Sequence, residues 1–156
     1  MRPQHKSETL KPEGLSIGEA AKALGISVHT LRMYERSGLI VPHKKPSGQR
    51  VYYENDLERV RCIRTAISEQ KISIAGIRRI HSLIPCWNIL PCSAEDRRHC
   101  EAYSGNVAGC WTFRHTSNTC AGRDCASCIV YTEFNDCGAI KNTIRLLTSD
   151  HESPLP

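Results

Sequence analysis

"SIGEAAKALGISVHTLRMYERSGLI", residues 16–40, contains two helical patterns placed end to end. In the first, Ile17, Ala20, Ala21 and Leu24 recur at the spacing of a single helix face. Ser16 and Glu19 have the S-x-x-E spacing of a capping box, in which each side chain satisfies an orphan N–H of the first turn. Gly25 suits the left-handed backbone that closes a helix. In the second pattern Ser27 is the candidate N-cap. Val28, Leu31 and Tyr34, with Leu39 beyond, face a core, and Gly38 ends the helix. Two such helices on a tight turn make a helix-turn-helix. The outer side of the second helix offers His29, Thr30, Arg32, Met33 and Arg36, a set dominated by hydrogen-bonding and cationic groups.

The flanking sequence extends this unit. Residues 1–14 are charged and aperiodic, as expected of a disordered segment. After the second helix, "IVPHKKPSGQRVYY" alternates around a Ser47-Gly48 turn and predicts a two-stranded wing with a basic tip at Lys44 and Lys45. "ENDLERVRCIRTAISEQ" returns to helical period, with Leu57, Val60, Ile63 and Ile67 on one stripe. Cys62 on that helix reads as a small core or boundary residue. "SIAGIRRIHSLI" predicts another short helix, capped by Ser73.

Charge divides the chain. Residues 1–84 hold 15 Lys and Arg against 8 Asp and Glu, while residues 85–156 hold 6 against 8. A basic first half is the electrostatic footprint of a polyanion binder. No apolar run has the length needed to span a bilayer, so no membrane role is expected. The polar N-terminus lacks the apolar stretch of a secretory signal, which predicts a cytoplasmic protein. In that reducing setting a cysteine cluster points to metal or redox chemistry before structural disulfides.

The run "SIGEAAKALGISVHTLRMYERSGLI" together with "SGQRVYYENDLERV" resembles the MerR family of bacterial transcription regulators. The likeness rests on "IGEAA", on "LRMYERSGLI" and on Arg50-Val51-Tyr52 in the wing, and it covers residues 15–84. It implies a recognition helix in the major groove, a wing on the adjacent backbone, and a homodimer on a palindromic promoter in double-stranded DNA. It also implies RNA polymerase as a partner, engaged when bound DNA is untwisted. The expected DNA contacts are Ser27, His29, Thr30, Arg32, Tyr34, Lys44, Lys45, Arg50 and Tyr52. Arginine suits bidentate reading of guanine, so Arg32 is the candidate base contact. Arg50 and Lys44 suit phosphates. Arg36 reads as a solvated charge. The long dimerisation helix that usually follows the fourth helix in this family is not predicted here.

Instead, from Pro85 onward, periodicity gives way to cysteine. Cys86, Cys92, Cys100, Cys110, Cys120, Cys125, Cys128 and Cys137 fall in one irregular stretch, and so small a unit needs a staple. "CWNILPC" and "CWTFRHTSNTC" echo each other, and the stretch resembles a bacterial module with two Cys-Trp pairs. All eight cysteines are candidate metal ligands. An iron–sulfur cluster, most simply [4Fe–4S], is the first reading. Zinc is the second, with one C-x-x-C knuckle at Cys125 and Cys128 and with His99 and His115 available. Thiol–disulfide switching is the third. If only four thiols bind, Cys120, Cys125 and Cys128 plus one earlier cysteine are favoured. Trp87 and Trp111 are expected in the core of the module, where they also shield a centre from water.

The expected architecture is therefore mainly α: a winged helix-turn-helix over 15–84, an irregular metal-stapled cysteine module over 85–137, and a short helix with a frayed tail over 138–156. The expected function is a DNA-binding regulator that senses redox state or metal, with a regulator carrying only structural zinc or a thiol–disulfide switch as the alternative. A thiol–disulfide oxidoreductase using Cys125 and Cys128 is the rival of another class. It requires a strand-turn-helix setting around the C-x-x-C pair.

Overall fold

A computed structural model of the chain describes residues 13–135 and 139–148. Helix α1, Ile17–Leu24, starts on the expected capping box: Glu19 N–H donates to Ser16 Oγ at 3.3 Å and Ser16 N–H to Glu19 Oε2 at 2.9 Å. Gly25 closes it at φ +63°. Helix α2, Val28–Arg36, is capped by Ser27, whose Oγ accepts from Thr30 N–H at 3.0 Å. Strands β1, His43–Lys44, and β2, Arg50–Val51, pair antiparallel as a wing, with His43 opposite Val51. Helices α3, Glu54–Ser68, and α4, Ile74–His81, complete this half.

Its core is aliphatic. Leu31, Leu39, Ile40, Leu57, Val60 and Ile63 are buried together with Ala20, Ala21, Leu24 and Ile77. These are the face positions that the 3.6-residue period selects. Met33, placed by the sequence on the outer side of α2, is half-buried and packs against this cluster. Residues 1–12 lie outside the described set, but Gly14 is buried, and Leu15 and Tyr52 exchange backbone hydrogen bonds of 2.9 Å in both directions. Leu15, the first residue of the expected domain, thus extends the wing.

The cysteine-rich half carries single helical turns set in otherwise irregular chain. These are α5, Cys86–Ile89; α6, Ala94–Arg98; α7, Glu101–Ser104; and α8, Ile129–Thr132. Two 3₁₀ turns, Cys110–Thr112 and Cys125–Ser127, lie between them. Pieces this short have no stability of their own and depend on tertiary packing. Ile84, Leu90, Trp111, Val130, Tyr131 and Phe134 supply that packing, with Val41 of the first half against them. Trp111 is buried as expected. Trp87 is only half-buried, edge-on to the exposed ring of Tyr103 at 5.3 Å.

Helix α9, Ala139–Thr148, matches the predicted C-terminal helix, and Ile140 packs against the module. Cys137, the side chains of Ile144 and Leu147, and the tail beyond residue 148 lie outside what is described. No helix among the described residues is long and apolar enough to cross a membrane.

Candidate nucleic-acid interface and thiol cavity

The first candidate surface is built by α2 and the wing. His29, Arg32 and Arg36 are exposed on α2, and Lys44, Lys45 and Arg50 are exposed on the wing. Thr30 is half-buried, and its hydroxyl is 2.9 Å from that of its helix cap, Ser27. Ser27 is thereby committed to starting the helix. Tyr34 is buried in the aliphatic core.

Tyr52 requires a correction. Its relative exposure is 0%, and its hydroxyl donates to Glu35. It has no surface to offer DNA and serves instead to join the wing to the helix. Glu35, which the sequence reading passed over, is the hub of that joint. It also takes Arg50 Nε at 2.8 Å, so the wing arginine is anchored to the recognition helix. Burial raises the Glu35 carboxyl above the usual carboxylate range, opposed by Arg50. The clue in the sequence was an acidic residue inside an otherwise basic helix.

The second candidate site is a cavity of about 20 Å³ in the module, enough for the centre of roughly one water-sized sphere. Cys110, Cys120, Cys125 and Cys128 line it, with Leu90, Trp111, Val130 and Tyr131 as apolar walls. His115 and Arg123 complete the rim. Of the favoured cysteines, Cys120, Cys125 and Cys128 are thus brought together, and Cys110 is the fourth. Cys86 stands beside Cys110 and takes its thiol hydrogen bond, which lowers the Cys86 thiol and raises that of Cys110. Burial raises the Cys125 thiol and pushes Cys120 up to about 11. Cys92 and Cys100 do not line the cavity. Cys62, on α3, is disulfide-bonded and is not one of the free thiols.

The two candidate histidines serve other ends. His115 has Nε2 2.9 Å from the Cys110 carbonyl and Nδ1 3.1 Å from Asn118 Nδ2. Nε2–H then donates while Nδ1 accepts, and neither nitrogen keeps a lone pair for a metal. His99 is exposed and faces Glu95 at 3.2 Å. Among the described residues no group of three or more Cys, His, Asp or Glu side chains is already arranged as a metal site. The thiols surround a space but have not closed on one point within it.

Between the two candidate sites runs a polar and aromatic seam that the sequence did not reveal. Arg59, 2% exposed, sits 4.0 Å from the Tyr131 ring centroid and 5.1 Å from that of Trp111, and donates to the Tyr131 carbonyl. Its Nε and Nη1 are buried without a hydrogen-bond partner among the described residues, and the ring faces offset part of that cost. The Tyr131 hydroxyl donates to Asp56 Oδ1 at 3.1 Å and accepts from Val41 N–H at 2.9 Å. Trp111 Nε1–H donates to the Gly38 carbonyl at 2.8 Å. His81 packs against Trp111 at 5.1 Å, and burial lowers its pKa to about 3, so its ring is neutral. Asp56 and Arg59 lie three apart on α3, beside the apolar stripe, which was the only local hint of their burial.

Cys125 and Cys128 bracket a 3₁₀ turn, and the wing is the only sheet among the described residues. The strand-turn-helix setting of a disulfide oxidoreductase is therefore not found around them.

Residues 15–83 match the family described as MerR HTH family regulatory protein. A mercuric resistance operon regulatory protein of Pseudomonas fluorescens is 38% identical over 93 residues, 59% of this chain and 56% of that protein. An HTH-type transcriptional regulator ZntR homolog of Haemophilus influenzae is 51% identical over 47 residues, 30% of this chain and 35% of that protein. A heavy metal-dependent transcription regulator of Rhizobium meliloti is 27% identical over 130 residues, 77% of this chain and 86% of that protein. These relatives are transcription regulators, not enzymes. The chain spans about half the length of the first relative. No solved structure matches.

Proposed function

With residues 15–83 forming a MerR-family helix-turn-helix regulatory domain, we propose that the protein is a DNA-binding transcription regulator whose cysteine module takes a thiophilic metal. A homodimer would place two copies of α2 in successive major grooves of a palindromic promoter, where RNA polymerase is the partner acted upon. Arg32 and His29 would read base edges, and Lys44, Lys45 and Arg50 would hold phosphates. The observation that carries the metal reading is that four cysteines line one apolar-walled cavity.

Two forms of centre compete. The donor set is soft, and thiolates suit zinc, other soft ions and iron–sulfur clusters alike. An iron–sulfur cluster, the first expectation from the sequence, finds four thiols and a dry wall of Trp111, Tyr131, Leu90 and Val130. The space, however, is about one water-sized sphere. A single ion needs no more room than this, whereas a four-iron cluster has to part the walls. The names of the relatives, which speak of mercury and heavy metals, point the same way. A single soft ion is therefore the favoured form.

Anaerobic purification, metal and sulfide analysis, and absorption spectra test this directly. Thiolate-to-metal absorption with one bound ion per chain, removed in Cys125→Ser, is the expected result. Iron with equimolar acid-labile sulfide would restore the cluster reading. A protein that binds no metal under any of these conditions would leave thiol–disulfide switching.

A further inference from the structure

We propose that the module governs DNA binding through Trp111 and Tyr131, which act as positioning residues for the segment joining the recognition helix to the wing. Helix α2 ends at Arg36 and the wing begins at His43, so Ser37–Pro42 is the entire connection. Two side-chain hydrogen bonds from the module grip this connection. Trp111 Nε1–H donates to Gly38 at 2.8 Å, and the Tyr131 hydroxyl accepts from Val41 N–H at 2.9 Å. The same two rings form part of the wall of the thiol cavity. Each of these two residues thus spans from the cavity to the backbone that sets the wing against α2.

Two further contacts tighten the arrangement. Gly38 has φ +71°, and a Cβ there would come within 2.6 Å of Thr112 Cγ2, so the 3₁₀ turn after Cys110 presses directly on the end of the recognition helix. Asp124, which caps the C-x-x-C turn, lies 3.8 Å from His43 Nδ1 on β1. Tyr131 is also tied to α3, through Asp56 and Arg59. Its ring therefore cannot shift when sulfurs close on an ion without moving Val41, Asp56 or both. Packed interfaces of this kind settle in discrete arrangements rather than deforming continuously. The path lies within one chain and needs no long dimerisation helix.

The signal in this scheme rests on the metal reading above, but the positioning role does not, and one experiment separates them. Tyr131→Phe in the full chain keeps the ring and removes only the hydroxyl. Three quantities are compared with wild type: exchange of the Val41 amide, bound Hg(II) per chain by native mass spectrometry, and affinity for a duplex selected from random sequence by the wild-type protein, with and without Hg(II). The expected result is exchange at Val41 about fivefold faster, the loss of one neutral hydrogen bond. Metal stoichiometry stays the same, and the ratio of metal-bound to metal-free affinity moves towards one. Wild-type values for both exchange and ratio would overturn the proposal. If wild type itself shows no such ratio, the metal signal has failed, and the positioning role is decided by Val41 exchange and metal-free affinity. Unchanged values there overturn it, and a severalfold change in both supports it. Trp111→Phe, which removes the bond to Gly38, serves as the second variant should the first not fold.

Discussion

Around Leu31 the molecule is held by aliphatic side chains on helices of eight to fifteen residues, each begun by a local cap or turn. Around Trp111 it is held by aromatic rings, thiols and a buried guanidinium, on turns of three to five residues. In the first region the elements exist because of their own sequence periodicity, and packing joins elements already favoured. In the second, the turns depend on what they touch, and much of what they touch is the first region. The domain is thus a platform, and the module a lid whose shape answers to the platform and to whatever fills its cavity.

The largest effects should come from the two hearts of these regions. Trp111→Ala is expected to cost about 3–5 kcal/mol and Leu31→Ala about 2–5 kcal/mol in urea unfolding. Leu31→Ala should lower the midpoint of the whole protein. Trp111→Ala should instead release the module first, giving circular dichroism and Tyr131-sensitive fluorescence different midpoints. Coincident transitions in Trp111→Ala would break the comparison.

The seam comes next. Asp56→Ala removes the acceptor of the Tyr53 N–H and Tyr131 hydroxyl hydrogen bonds and should cost about 1–3 kcal/mol, as expected when buried donors lose their partner. A gentler test uses pH. Burial raises the Asp56 pKa above its usual 3.8, opposed by hydrogen bonds from Tyr53 N–H and the Tyr131 hydroxyl. The folded state therefore holds this proton more tightly than the unfolded state. The resulting stability is fully present below pH 3.8 and is lost as pH rises through the folded value. Relative to Asp56→Asn, wild type should gain stability as pH falls through that window. A difference that stays flat with pH would show Asp56 to be effectively solvated.

On the DNA side, Arg32→Ala should weaken binding to the selected duplex by about 1–3 kcal/mol if it makes a bidentate base contact. Fluorescence anisotropy reads this directly, and an unchanged affinity removes Arg32 from the interface. The smallest effects belong to the caps. Ser27→Ala and Ser93→Ala each remove one side-chain acceptor, for Thr30 N–H and for Asp96 N–H. Each should cost about 1 kcal/mol, Ser27→Ala in the domain transition and Ser93→Ala in that of the module.

How much could be read in advance follows the same division. Ser16, Glu19, Gly25, Ser27 and Ser73 act on backbone groups at most four residues away, so they are visible in a linear string. The stripe Leu57, Val60, Ile63 is visible for the same reason. Tyr52 was misread because a wing tyrosine has the same local pattern whether it faces phosphate or core. Only its meeting with Glu35, seventeen residues earlier, separates the two. Among the earlier cysteines nothing local ranked Cys110 above Cys92 and Cys100 as the companion of Cys120, Cys125 and Cys128. The cavity did so by bringing together turns from distant parts of the module.

By itself the sequence determined the helix-turn-helix, its caps, its basic outer face and the presence of a thiol-rich partner unit. Those are properties of spacing and composition within a few turns of chain. The tertiary structure decided which thiols share a cavity, that Trp111 and Tyr131 form both its wall and a grip on Gly38 and Val41, and that Arg59 stacks against both rings. Tyr131 is seventy-two residues from Arg59 and seventy-five from Asp56. Interactions at that separation leave no period in the sequence, because they are selected by the fit of packed surfaces rather than by the repeat of a helix.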